Sequence, residues 1–102
     1  MFIYHIVLPN VWQQFDGKPS YSAESLQTEG FIHCSYASQL DGVINRYYGN
    51  AERVMILKLD TDKLRSKLVK EASTGGEIYP HIYGRINRDA IVEVSEKNIE
   101  RG

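Results

Sequence analysis

The chain reads as one α+β domain: short mixed or antiparallel strands in a split sheet, carrying two to three helices. Three observations predict it. The 102 residues suffice for one hydrophobic core and not for two. A composition that is 42% hydrophobic and 25% charged belongs to a folded chain. The elements also run strand, helix, helix, strand, helix, then strands, an order unlike the regular alternation of a parallel wound sheet. Residues 1–102 are therefore taken as one domain.

Phe2–Val7 is short, β-rich and stopped by Pro9, which predicts the first strand. Asn10–Tyr21 holds Trp12, Asp16-Gly17 and Pro19 and predicts an ordered, irregular loop. Ser22–Thr28 predicts a short serine-capped helix with Gly30 just past its end. Phe31–Cys34 fits a short strand. Across Tyr36–Tyr48, Leu40, Val43, Ile44 and Tyr47 recur at helical spacing, and Gly49-Asn50 stops the helix. Arg53–Leu59 has a nearly continuous apolar centre, as a strand buried on both faces requires. Asp60 or Thr61 is expected to cap a helix reaching about Leu68, followed by a brief strand at Val69–Glu71 and a flexible "STGG". Ile78–Tyr83 and Ala90–Val94 read as the last strands.

A net charge of −1 with scattered basic residues gives no broad nucleic-acid surface. The lone Cys34 cannot form an internal disulfide and fits a reducing, cytoplasmic setting. "MFIYHIVLP" lacks the features of a secretory signal, and no apolar run is long enough to span a bilayer, so no membrane partner is expected. Glycine-rich phosphate loops, the Gly-x-Ser-x-Gly elbow, Cys-x-x-Cys and His-Glu-x-x-His are all absent. The spacing of His5, His33, Cys34, Glu71 and His81 specifies no metal site.

All three histidines fall in three motif-like stretches: "FIYHIV", "EGFIHCS" and "GEIYPHIYGRIN". A single histidine in an apolar frame is most simply a half-buried structural imidazole. Three on separate strands can instead converge on one cleft, donate to phosphate or ribose oxygens, or shuttle protons. Tyr4, Tyr79 and Tyr83 read either as core-rimming aromatics or as a stacking wall for a flat ring. Ser35 either caps the following helix or offers a hydroxyl to an anion. Cys34, in an apolar neighbourhood, reads as a buried and inert thiol. Glu71 is either solvated surface or, facing the histidines, a carboxylate that stabilises a developing cation. Arg85 is either surface or a partner for an anionic ligand.

Together, the aromatic residue ahead of His5, "EGFIHCS", a strand ending in Asp60, Glu71 and "YPHIYGRIN" resemble the small bacterial family catalogued as domain of unknown function 952. Trp12 and Ser25-Leu26 agree with it, and the likeness spans essentially the whole chain. Arg85 departs from it, standing where proline is usual. The resemblance implies a remote, compact relative of the ADP-ribosyltransferase fold, in which NAD binds in a cleft between two small sheets. It implies His5 in the first-strand role of holding ribose or phosphate. Tyr36 or Tyr83 would flank the nicotinamide, and Glu71 would be the acid.

The resulting expectation is a cleft with Glu71 and His81 as catalytic residues and His33, Ser35, Tyr83, Arg85 and His5 as ligand-binding residues. A small-molecule nucleotide is the expected partner. No resident cofactor is implied, and NAD enters as a substrate. The alternative is a non-catalytic small-ligand or protein-interaction module using the same cleft.

Overall fold

The computed structural model describes residues 1–99. Alternation along β1 (Phe2–Val7) divides its side chains. Ile3, His5 and Val7 register with Leu59, Leu57 and Met55 of β4 (Arg53–Asp60), while Tyr4 and Ile6 oppose Lys58 and Ile56. The first set faces the main core with Tyr21, Ile32, Cys34, Ile82 and Ile86. On the other face, Ile6, Val54 and Ile56 pack with Leu40, Val43, Ile44 and Tyr48 on and beside α3 (Leu40–Tyr47). The continuous apolar run of β4 is thereby explained: it is central in the order β1-β4-β8, with β8 spanning Ile91–Asn98, and both its faces are covered.

A second three-stranded sheet has the order β3-β6-β5, from Ile32–His33, Ile78–Tyr83 and Lys67–Ala72. Its inner face sends Ile32 and Ile82 into the main core, both fully buried. A third, two-stranded sheet pairs β2 (Ser20–Tyr21) with β7 (Ile86–Asn87). Every strand pairing among the described residues is antiparallel. The two larger sheets meet at one bridge, where Tyr4 and Ser35 exchange backbone hydrogen bonds of 2.8 and 2.7 Å. Among the described residues the result is a single α+β unit of eight strands in three small sheets with three short helices.

Several local expectations are corrected. The segment expected to be an irregular loop from Asn10 to Tyr21 contains α1 (Pro9–Gln13), started by proline at a first-turn position, where its missing N–H costs nothing. It also contributes β2. The helix expected from Ser22 is reduced to α2 (Ser25–Thr28). The helix expected from Tyr36 begins as a 3-10 turn, Ala37–Gln39, before α3. Tyr47 is 69% exposed, and Tyr48 takes its expected place in the core.

The helix expected to reach Leu68 is one 3-10 turn, Thr61–Lys63. Tertiary bonds replace it: Asn87 Oδ1 accepts from the Arg65 N–H at 3.0 Å, and Asn87 Nδ2 donates to the Lys63 carbonyl at 2.9 Å. With those backbone groups satisfied, the chain enters β5 at Lys67.

Candidate functional site

Because β1 and β3 meet at the Tyr4–Ser35 bridge and then separate, a half-open cleft of about 650 Å³ lies between the two larger sheets. His5, Tyr21, His33, Ser35, Tyr48 and Tyr79 are among the residues lining it. The thiol of Cys34, on the same wall, is buried, and burial pushes its pKa up, so it stays protonated. The expectation of an inert cysteine agrees with this.

His5 is engaged through both ring nitrogens. Nδ1 lies 2.7 Å from the His33 carbonyl oxygen, which can only accept, so Nδ1 carries the proton. Nε2 is left to accept from the Tyr21 hydroxyl at 2.8 Å. Burial lowers the His5 pKa to about 4, against the opposing pull of the His33 carbonyl. Tyr21 is likewise kept a phenol by burial. Its ring is fixed by Phe15, Trp12 and His5, with centroids 4.9, 5.7 and 5.1 Å away.

The second cluster lies on the outer face of the β3-β6-β5 sheet. His33 and His81 are direct cross-strand partners, and Glu71 registers with Tyr79, so His33, Tyr79, His81, Tyr83 and Glu71 share that face. Their rings and carboxylates interlock. His81 Nδ1 donates to Glu71 Oε1 at 2.9 Å, and the Tyr83 hydroxyl donates to the same oxygen at 2.5 Å. Those two donors, Tyr83 first, hold the Glu71 carboxyl below its ordinary pKa. Phe31 stacks on His81 with centroids 4.2 Å apart and planes 20° from parallel. It also borders Tyr83 and His33.

His33 and His81 meet edge to face at 5.3 Å, and His33 Nε2 is 3.0 Å from Glu29 Oε2. The outer face thus carries two imidazoles, each paired with a carboxylate. Among the described residues His81 Nε2 has no hydrogen-bond partner, which leaves it available as a base or ligand-directed acceptor.

The structure therefore brings together Glu71, His81, Tyr83 and His33, and it places His5, His33 and Ser35 on the cleft. His33 belongs to both, but Glu71, His81 and Tyr83 do not line the cleft. Ser35 does not cap the helix; the Gln39 side chain accepts from the Tyr36 N–H at 2.9 Å instead. Arg85 lies outside both groups, donating from Nε to Ser20 Oγ at 2.8 Å. Tyr36 packs against the main core, and Tyr4 serves the inter-sheet bridge through its backbone. Among the described residues no group of three or more His, Cys, Asp or Glu side chains could hold a metal, and no helix is long and apolar enough to cross a membrane.

Sequence reasoning missed Phe31 and Glu29. Phe31 stands two residues before His33, the same-face spacing of a strand, and that was its available signal. Glu29 stands four before His33, but a turn of helix followed by a strand gives no simple periodicity linking them.

No curated protein matches the chain. Among solved structures it resembles the crystal structure of protein CC0527 from Caulobacter crescentus. The TM-score is 0.83 at 22% identity, covering 94% of this chain and 85% of that one. The solution NMR structure of the same protein gives 0.82 at 21% identity, covering 97% and 86%. At such identity the likeness speaks to fold alone. The family model described as a protein of unknown function (DUF952) matches residues 6–94, and the chain belongs to that family.

Proposed function

We propose that this domain binds a nucleotide-class small molecule, with NAD the first candidate, in the cleft between the two larger sheets. The observation that carries the reading is the cleft itself. Its volume of about 650 Å³ suits a ligand of that size, and a largely apolar wall carries a few polar groups, among them Ser25, Ser35, Glu29 and His33. Tyr79 and Tyr48 supply aromatic area for a flat base or nicotinamide ring, and the serines and Glu29 supply partners for ribose hydroxyls. His5 contributes by holding Tyr21 and the His33 carbonyl in place rather than by offering a free nitrogen.

Calorimetric titration with NAD, nicotinamide and ADP-ribose tests the reading. Saturable binding of at least one is expected, and no binding by any at millimolar concentration would sink it.

A second reading, transfer or hydrolysis of ADP-ribose, is favoured by one further observation. Glu71 is kept ionised by Tyr83 and His81 on the sheet face that continues into the cleft through His33 and Tyr79. Loss of nicotinamide from NAD leaves an oxocarbenium-like centre, which an ionised carboxylate stabilises. The binding reading takes precedence because Glu71 stands beside the cleft wall and does not form part of it. The double variant Glu71→Gln, His81→Ala separates the two. Nicotinamide release by wild type that disappears in the variant establishes turnover; equal ligand binding with no release by either protein establishes a receptor.

A further inference from the structure

The sheet β1-β4-β8 ends on β8, and among the described residues no strand pairs with its outer edge. The backbone groups that point outward there follow from the pairing of the whole sheet. Tyr4 exchanges hydrogen bonds with Ser35, so its N–H and C=O point away from β4, and those of Ile3 and His5 point toward it. Carried across the registers, Leu57 turns toward β1, Val54 and Ile56 turn toward β8, and Ser95 and Lys97 turn toward β4. The Ile99 N–H, which donates to the Glu52 carbonyl at 2.8 Å, gives the same parity from the far end. Val94 and Glu96 therefore present their backbone donors and acceptors outward.

This edge lacks the usual protections. Val92–Asn98 is exposed throughout and holds no proline, and Val92 and Val94 leave 42% and 41% of their surface in water. The one irregularity in its pairing lies near its start, opposite Lys58 and Leu59. The other long edge, β5, has six residues against eight, and its Glu71 is already committed to His81 and Tyr83.

We propose that β8 pairs antiparallel with β8 of a second copy of this chain, about a two-fold axis at Ser95, joining two three-stranded sheets edge to edge. The parity requires a symmetric pairing centred on a residue rather than between two. Centred on Glu93, Glu96 or Lys97, it sets a charge against its own kind; centred on Val94, it gives no charge an opposite partner. Centred on Ser95, it sets Glu93 opposite Lys97 of the second copy and Lys97 opposite Glu93. Val94 and Glu96 then exchange backbone hydrogen bonds across the interface, using the groups that point outward. Lys97 already donates to Asp41 of α3 at 3.0 Å, and Glu93 registers with Lys58, so the second copy extends a run of alternating charge on the α3 face. On the opposite face the two Val94 side chains become diagonal neighbours, which shields exposed apolar surface. No β8 residue lines the cleft, so the inference stands independently of the ligand.

The test is sedimentation equilibrium of wild type and Val94→Pro from micromolar to millimolar concentration. Proline at this position removes a donor that β4 does not use, so the monomer should keep its fold, which circular dichroism checks. Wild type is expected to dimerise as concentration rises, and Val94→Pro to weaken the dimer about tenfold or more, as loss of its hydrogen bond from both copies implies. Ser95→Cys places a thiol on the axis, and oxidised glutathione should link it into a covalent dimer faster than Glu93→Cys, whose opposite residue is Lys97. Cys34 is buried and does not compete.

A wild type that stays monomeric at millimolar concentration overturns the proposal. A dimer that Val94→Pro leaves intact also overturns it, because the contact then lies on another surface. If Val94→Pro does not fold, the cysteine variants decide: faster linkage of Ser95→Cys supports the pairing, and equal or slower linkage than Glu93→Cys overturns it.

Discussion

His5 should make the stability of this protein depend on pH in a defined window. In the folded chain its pKa is lowered from the ordinary 6.5 to about 4, chiefly by burial. Between those values an unfolded chain binds a proton at this position and the folded chain does not, so stability from His5 rises with pH across the window. The contribution is complete above about 6.5, is lost as pH falls, and is gone below about 4. At about 1.4 kcal/mol for each tenfold change in proton affinity, the difference comes to about 3 kcal/mol.

Carboxylates titrate over part of the same range, so the measurement must be a difference between proteins. His5→Gln retains a donor for the His33 carbonyl and an acceptor for Tyr21 but has no proton to gain. Urea unfolding can be followed by the fluorescence of Trp12, the single tryptophan, whose ring lies 5.7 Å from that of Tyr21. At pH 7 the variant should be less stable by roughly 1–3 kcal/mol through imperfect replacement of two buried hydrogen bonds. Going to pH 4, wild type should lose about 3 kcal/mol relative to the variant, which narrows or reverses the gap. A gap that is the same at pH 7 and pH 4 would refute the buried, neutral assignment of His5.

Gly84→Ala should destabilise the fold by roughly 2 kcal/mol, read as a lowered thermal midpoint. A Cβ there would fall 2.5 Å from Ser66 Oγ, the atom that donates to the Arg85 carbonyl; an unchanged midpoint would show that the turn can relax. Tyr83→Phe should raise the Glu71 pKa toward its ordinary value, because the phenol is the first cause of its depression; carboxyl carbon NMR of labelled protein reads this directly, and no upward change would contradict it. The associated stability is present above the ordinary carboxylate pKa and is lost as pH falls through the depressed one, so the variant's loss of stability should shrink in acid. Cys34 should resist a thiol reagent in the native protein and react at the rate of unfolding, since it is buried and burial raises its pKa; prompt labelling would mean the β3 wall opens locally.

The strands were legible wherever the hydrophobic pattern itself decides the outcome. Phe2–Val7 and Ile78–Tyr83 have the bounds read from the sequence, and Arg53–Asp60 differs by one residue, because each is bounded by turn residues and carries enough apolar side chains to fix its faces. The errors lie where distant side chains decide. Nothing near Leu64 announces that Asn87 will take over the backbone groups of Lys63 and Arg65. Nothing near Pro9 announces that Trp12 will be held against Tyr21, with the Arg88 guanidinium 5.0 Å from its ring.

The same rule divides the candidate site. The histidines stood out because polar rings interrupt apolar strands. Their grouping was hidden, since it depends on the register that sets His33 opposite His81.

Register and burial together also give the three histidines different chemistry from similar local sequences. His5 faces the main core, spends both nitrogens inside the protein and is neutral at physiological pH; a ligand could reach its Nε2 only by displacing the Tyr21 hydroxyl. It therefore fixes the geometry of β1, β2 and β3 around the cleft. His33, on the opposite side of its strand from the buried Ile32, is half exposed and shared between the cleft and the outer face. His81 is nearly covered by Phe31, yet its Nδ1 is committed to an ionised Glu71 and its Nε2 is not committed within the described chain. A carboxylate held in that way fixes the imidazole's tautomer and leaves the far nitrogen as the acceptor. If one histidine of this domain moves a proton, the physical arrangement selects His81, with His33 as the neighbour that connects it to whatever the cleft holds.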